Sequence, residues 1–374
     1  MHIVILKGDG RVVDVNSYNC QELGLAKALV RKGYKVSLIM GGAKTENMTV
    51  YVDNDSFVTV YYRSYIALHP SLAWFENFNG LMNSINPDFV QIHGFTELMS
   101  YRAVRWAKRN HVKCNLIQGM YRPTQKPFLK QLEMLFNYTF GTYIIKNVDS
   151  VGAKTPKAAS YIKKFFNREV ALTYIGLDID KFNKNNTTVD WREKLCLRGK
   201  KVLLYIGVLE KRRNPLFLLE IMQHLPDDYV LLIVGDGVQK EIVSYNIQMK
   251  NLSHKCIMLG KLNQNEVPDL YKSADLFLLA SDYEIYGMVI LESMFFGLPV
   301  VSSRTAGSEA IIDNGENGVI IDEKDLYVWC RTIQELCMSK DKYNEMSISA
   351  KRKIEESLVW DKASEAFIRH YISC

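Results

Sequence analysis

The sequence predicts an α/β fold made of two Rossmann-like, doubly wound domains facing each other across a cleft. Three observations carry this expectation. Short continuous apolar runs recur along the chain, each the length of a strand buried on both faces. Each is followed by a glycine-rich or polar loop and then a segment of helical period. The series occurs twice, and the polar segment Asp180–Lys200 separates the two copies.

The first series opens with Ile3–Leu6, the loop "KGDGRVVDVNSYN", and a helix from Cys20 to Arg31 with apolar Leu23, Ala26, Leu29 and Val30. Gly33 ends that helix and "KVSLIM" is the next strand, which completes a βαβ unit. Phe89–His93 and Cys114–Gln118 read as further buried strands, with a helix over Thr96–Arg109 between them. The second series contains "KVLLYIG" (Lys201–Gly207), a helix near Leu216–Gln223, then "YVLLIVGDG", "CIMLG", "LFLLAS" and "LPVVSS". The expected domains are therefore 1–180 and 181–359. An amphipathic helix within 360–374 is expected to pack back on the first domain.

Composition bounds the function. The chain has 374 residues, 48% hydrophobic and 24% charged, enough apolar surface for about two globular cores. The net charge of +6 is uneven: residues 1–185 are basic and the remainder is net acidic. That asymmetry fits either a solvated surface or an anionic partner of the first half. Seven scattered cysteines without a C-x-x-C fit a reducing, cytoplasmic setting rather than a disulfide framework or a zinc site. Ile3–Leu6 is too short for a signal-peptide core, and no run of ~18 apolar residues exists.

Several constellations bear chemistry. In "SDYEIYGMVILESMFFGLPVVSS" (Ser281–Ser303), Glu284 precedes a glycine and Glu292 interrupts an apolar helix. A helix opening at Gly287 would set the two carboxylates roughly 10–12 Å apart. Glycosidase acid–base pairs stand ~5–9.5 Å apart, so the spacing suits two ends of an extended polar ligand better. Its phosphates would meet the free N–H groups of Gly287, Met288 and Val289. The alternative is a solvated Glu284 and a Glu292 bonded to a nearby turn.

"GVLEKRRNP" (Gly207–Pro215) follows a buried strand, where open α/β sheets bind ligands. Lys211, Arg212 and Arg213 are placed there for a diphosphate, or form a basic turn. Gly8 and Gly10, and Gly235 and Gly237, form close-approach loops, but neither pair belongs to a G-x-G-x-x-G dinucleotide fingerprint. His93 ends a parallel strand as an acid, base or hydrogen-bond donor, or as a structural histidine. Asp53–Asp55 reads as a turn rather than a D-x-D metal site. Met120–Lys146 mixes basic and aromatic residues, suiting a membrane surface, a lipid-linked acceptor or a packed helix with a basic rim. Lys163, Lys164 and Arg168, near Phe165–Phe166, extend the basic half. No nucleic-acid motif accompanies the charge.

The chain resembles the retaining GT-B glycosyltransferases of family 4 (glycosyl transferases group 1) over nearly its whole length. Ser281, Glu284, Gly287, Leu291, Glu292, Met294, Gly297, Pro299, Val300 and Val301 match the family's long spaced pattern, with Tyr286 in place of a Phe. "YIGLDIDKF" matches the domain-junction segment at Gly176, Asp178 and Phe182. "LIVGDG", "TAGSEAI" and "NGENGVII" match further loops. The resemblance implies roles. Glu292 would hold the donor ribose, and Glu284 would sit beside the donor sugar. Tyr286, Gly287, Met288, Val289, Gly237, Gly307 and Ser308 would surround sugar and phosphate. Arg213, Arg212 and Lys211 would meet the diphosphate. His93 would lie near the anomeric carbon, with Gly8, Gly10 and Gln118 on the acceptor side.

Three positions depart from the family. Val208 stands where a phosphate-binding Arg is usual, Gln118 where a second His is frequent, and Ala306 where the phosphate loop has its first Gly. The implied activity is retaining, metal-independent transfer of a hexosyl unit from a nucleotide diphosphate sugar, UDP-sugar favoured. The acceptor would be a glycan or a lipid-linked intermediate of bacterial surface polysaccharide synthesis. No cofactor and no nucleic acid are expected. The implied location is the cytoplasm or the inner membrane face, with peripheral contact through the basic half. A sugar-nucleotide epimerase and a non-catalytic nucleotide-sugar-binding subunit are the alternatives.

Overall fold

The structure is a computed structural model and describes residues 1–12, 20–124, 127–165, 167, 169–183 and 189–372. The far end of the first glycine loop, Phe166, Arg168 and part of the polar segment after Asn183 lie outside the described residues, as do the last two positions of the C-terminal helix segment. Contacts divide the chain into two units, Met1–Gly176 with Trp360–Cys374, and Leu177–Val359.

The first unit holds an eight-stranded sheet in the order Ala171–Leu172, Ser150–Ala153, Lys113–Gln118, Phe89–His93, His2–Lys7, Lys35–Gly41, Phe57–Arg63, Glu46–Tyr51. Adjacent strands pair in parallel except the last two, which form an antiparallel edge. Alternation along His2–Lys7 shows why the run is continuously apolar. Ile3 and Ile5 face the helix Gln21–Arg31, whereas Val4 and Leu6 face the core that includes Phe78, Met82 and Met99. Both faces are buried, as covering helices on both sides require.

The C-terminal helix Trp360–Phe367 and its continuation Ile368–Ile372 belong to this unit. Phe367 meets Phe89 edge-on at 6.2 Å, and the hydroxyls of Tyr371 and Thr173 are hydrogen-bonded. Trp360 lies so close to the helix Gln21–Arg31 that a Cβ on Gly24 would stand 2.1 Å from its Nε1.

The second unit holds six parallel strands in the order Cys256–Gly260, Tyr229–Val234, Lys201–Ile206, Leu276–Leu279, Val300–Ser303, Gly318–Ile321. Its helices Pro215–His224 and Leu326–Met338 cover one face through Leu218, Met222, Trp329 and Ile333. In each sheet the order reverses beside the unit's first strand: between His2–Lys7 and Phe89–His93, and between Lys201–Ile206 and Leu276–Leu279. Loops leaving the carboxyl ends of two such strands diverge to opposite faces and open a crevice. Among the described residues no helix is long and apolar enough to cross a membrane.

Helix propensity alone would make Gly24→Ala stabilising by about 1 kcal/mol. The Trp360 clash is expected to reverse this, with a net loss of about 1–3 kcal/mol. Urea unfolding should show that loss in the wild-type background and a gain when Trp360 is also Ala.

Candidate functional site

In the second unit the crevice is built by two loops. The first, after Lys201–Ile206, runs through Gly207–Glu210 into a single 3₁₀ turn, Lys211–Arg213. Asn214 takes a left-handed conformation (φ 49°) and its amide donates to the Ala280 carbonyl at 2.9 Å. That bond ties the cationic turn to the second loop, which leaves Leu276–Leu279. There Glu284 is buried, at 5% exposure. Its Oε1 accepts from the Ser281 hydroxyl at 3.0 Å and is ion-paired with Arg213 at 2.8 Å. Arg212 donates to the Tyr283 carbonyl at 2.7 Å and pairs with Glu210 at 2.8 Å, while Lys211 is exposed. Three cations therefore stand against two carboxylates. Val208 is 51% exposed.

The helix Met288–Phe295 starts where the spacing predicts, with Gly287 at its N-cap. Gly287 has φ 83°, which a side chain would strain, so the glycine sets the sharp entry into the helix. Met288 and Val289 occupy the first turn, whose N–H groups have no intrahelical acceptor. Gly307 packs backbone to backbone, since a Cβ there would lie 2.1 Å from the Tyr286 carbonyl oxygen. Ser308 closes a capping box with Thr305 and also donates to the Ser303 carbonyl at 2.9 Å. Gly237 lies against the backbone of Leu209, bringing the two glycine-containing loops together. Tyr286 is buried.

Glu292 is 1% exposed. Its Oε2 accepts from the Tyr271 hydroxyl at 2.9 Å, and its Oε1 has no partner among the described residues. Burial raises its pKa well above the ordinary carboxylate value.

The first unit gathers polar side chains at its own reversal point. His93 ends its strand with both ring nitrogens enclosed and without a partner among the described residues, and burial lowers its pKa to about 3. The imidazole is therefore neutral at pH 7. Gln118 ends the neighbouring strand fully buried, donating to the Met120 carbonyl at 2.9 Å while its Oε1 has no partner among the described residues. Gly8 and Gly10 follow the first strand. A Cβ on Gly8 would stand 2.7 Å from Oε2 of Glu97, and one on Gly10 2.9 Å from the Tyr65 ring. Asp53 forms the expected turn, its Oδ1 accepting from the Ser56 N–H at 2.9 Å. The Met120–Lys146 region carries the helix Pro127–Phe136, a π turn Asn137–Gly141 and the helix Thr142–Asn147. Leu132, Met134, Leu135 and Tyr138 are exposed on it.

Four residues of these two sites escape the sequence reading. Glu97 sits at the N-cap of Leu98–Arg109, one residue ahead of a helix that the sequence would start at Thr96. Its Oε2 is enclosed without a partner among the described residues, and burial, with Asp9 nearby, raises its pKa to about 8. Glu22 is buried and pairs with Lys7 at 3.6 Å. Although burial opposes ionisation, Lys7, His93 and Lys154 bring its pKa down to about 2. Lys154 follows the strand Ser150–Ala153 and donates to Gln21 at 2.9 Å. Tyr271 is the partner of Glu292. The usable signal for Glu97 and Lys154 is position just past the carboxyl end of a parallel strand. For Tyr271 the local sequence, the mixed segment "VPDLYKS", gives none.

Residues 189–353 match the family model described as glycosyl transferases group 1. An uncharacterized glycosyltransferase of Methanocaldococcus jannaschii is 25% identical, over 96% of this chain and 95% of that protein. The UDP-Gal:alpha-D-GlcNAc-diphosphoundecaprenol alpha-1,3-galactosyltransferase of Escherichia coli is 32% identical over 40% of this chain and 41% of that protein. Sucrose-phosphate synthase from Thermosynechococcus elongatus superposes with a TM-score of 0.77 at 16% identity, covering 100% of this chain and 98% of that one. HepE of Anabaena, crystallised with UDP-glucose, gives 0.74 at 16% identity over the whole of both chains. The chain has the GT-B fold of these glycosyltransferases. Residues 189–353 are thus similar in sequence to the glycosyl transferases group 1 family, and the whole chain shares the fold of these enzymes.

Glu97 supplies a test of the first unit's electrostatics. Its raised pKa means that the folded state binds a proton the unfolded state has released between about pH 4.5 and about pH 8. Stability contributed by this group therefore falls as pH rises through that window. Glu97→Gln should remove the fall. Unfolding midpoints of variant and wild type should be closest near pH 4.5 and diverge in the variant's favour toward pH 8.5.

Proposed function

We propose that this protein is a group 1 glycosyltransferase that moves a hexosyl unit from a nucleotide diphosphate sugar, UDP-sugar favoured, to a glycan or lipid-linked acceptor, with retention of anomeric configuration. The observation that carries the reading is the crevice of the second unit. Two buried carboxylates, Glu284 and Glu292, flank one helix start at Gly287 beside a cationic turn.

In this reading the second unit holds the donor. Glu292 meets the ribose through its unpaired Oε1. The diphosphate lies at the first turn, Met288 and Val289, where free N–H groups and the helix dipole favour negative charge. Arg213, Arg212 and Lys211 add full charges, so leaving-group stabilisation is assigned to the protein and not to a divalent cation. Gly237, Gly307, Ser308 and Tyr286 form the walls. Glu284 stands beside the donor sugar, and its pairing with Arg213 fixes both groups before the ligand arrives.

The first unit takes the acceptor at Gly8, Gly10, His93 and Gln118. A neutral His93 can donate one hydrogen bond and accept another from a sugar hydroxyl. Retention follows if the departing phosphate oxygen takes the acceptor proton on the same face, so that neither glutamate acts as a nucleophile. The E. coli relative is named for transfer to an undecaprenol-linked sugar, and the exposed Leu132–Tyr138 face suits a membrane-borne acceptor. A role in surface polysaccharide synthesis at the inner membrane face follows from that reading.

A donor panel read by nucleotide diphosphate release tests it, with soluble and vesicle-borne lipid-linked acceptors and with EDTA as one arm. The expected result is acceptor-dependent release that survives EDTA, a product anomer of retained configuration by NMR, and a loss of about 10²-fold or more in Glu284→Gln. An inverted anomer overturns the retaining mechanism. Binding without turnover, or epimerisation without acceptor, overturns the transfer itself.

A further inference from the structure

Glu292 presents an unusual pattern of satisfaction. The carboxyl group is 1% exposed, yet among the described residues the Tyr271 hydroxyl is its one hydrogen-bond partner. With or without its proton a buried carboxyl needs partners for both oxygens, and an enclosed oxygen left without one costs about 1–3 kcal/mol. A fold tolerates such a group where a ligand completes it.

Tyr271 is itself over-determined. It lies on the helix Val267–Ser273 and is 1% exposed. Its ring stacks on Phe296 with centroids 5.5 Å apart and planes 14° from parallel, and it packs at 6.0 Å on Phe277. Phe296 caps the helix that carries Glu292, and Phe277 belongs to the strand that feeds the Ser281–Glu284 loop. The ring is thus wedged between the two elements that build the crevice, and its hydroxyl has a single place to point. Burial raises the phenol's pKa, so the group keeps its proton and acts toward Oε2 only as a donor.

We propose that Tyr271 is a positioning residue for nucleoside recognition: its hydroxyl fixes the rotation of the Glu292 carboxyl group, presents Oε1 to a ribose hydroxyl, and thereby sets discrimination between ribo- and deoxyribonucleotides. This rests on the reading that Glu292 meets the donor ribose. Without the tether the terminal torsion of a glutamate side chain is broad and roughly two-fold, so the carboxyl would present either oxygen at many angles. A site that hydrogen-bonds a substrate hydroxyl rejects the analogue lacking it only while its polar groups are held in place.

Calorimetric binding of UDP, 2′-deoxy-UDP and 3′-deoxy-UDP to the whole chain tests this in a double-mutant cycle. Tyr271→Phe removes one oxygen and keeps the stacked ring. It is expected to weaken UDP about tenfold and to cut the preference for UDP over at least one deoxy analogue by a similar factor. In a Glu292→Ala background the same change is expected to do nothing further. Equal weakening of all three nucleotides, or an equal effect in both backgrounds, assigns Tyr271 to packing and overturns the inference. If Glu292→Ala alone leaves UDP affinity intact, the ribose reading fails first and the inference falls with it.

Discussion

The ion pair between Glu284 and Arg213 joins two loops that leave adjacent strands on opposite sides of a reversal in sheet order. Everything else in the second unit's crevice is referred to it. The pair is largely buried, with side-chain exposures of 7% and 14%. Taking two charges out of water is costly, and only close geometry with further hydrogen bonds offsets it. Ser281 supplies one such bond to Glu284. The backbone around the pair is stitched as well: the Asp282 N–H donates to the Arg212 carbonyl at 2.8 Å and the Asn214 side chain to the Ala280 carbonyl. Removing one partner of such a pair typically costs about 3–5 kcal/mol because the other charge is left buried. The loops are thus set in place by the pair and its stitching.

That fixed frame explains how a crevice rich in charge can wait for an anionic ligand without collapsing. Arg213 and Arg212 are held by carboxylates and a carbonyl, while the first turn at Met288 and Val289 offers fixed partial charges. Such preorganised groups need little rearrangement as charge develops on a leaving diphosphate, which is where electrostatic stabilisation is most effective. Gly287 and Gly307 permit the close backbone approach that a bulky side chain would block.

Much of the fold is legible in the sequence because parallel strands covered on both faces leave unbroken apolar runs. Phe89–His93 and Cys256–Gly260 are found as read, and most other strand limits differ by a residue or two. The edge strand Glu46–Tyr51 and its neighbour Phe57–Arg63 are less legible, since Glu46–Tyr51 is mostly exposed and lacks such a run. In the site, Glu284 and Gly287 announce themselves as polar and turn residues just before an apolar helix, and Glu292 as the carboxylate that interrupts it. Glu97 does not, because its burial comes from the approach of the Gly8 backbone, a contact between segments nearly ninety positions apart. Tyr271 is hidden for the same reason: a tyrosine in the short mixed helix Val267–Ser273 carries no signal until its hydroxyl is seen to meet Glu292. The spacing leaves Glu292 either a ligand or a nearby turn as its partner, and the structure supplies the Tyr271 hydroxyl on one of its oxygens.

The account's central claim is that the reversal point of the second unit is a preformed nucleotide-sugar site. A crystal structure of the protein with UDP tests it most directly. The account predicts a ribose hydroxyl at Oε1 of Glu292, the diphosphate against the N–H groups of Met288 and Val289, and Arg213 still paired with Glu284. A nucleotide bound elsewhere, or a crevice that must break the Arg213–Glu284 pair to admit it, would contradict the claim.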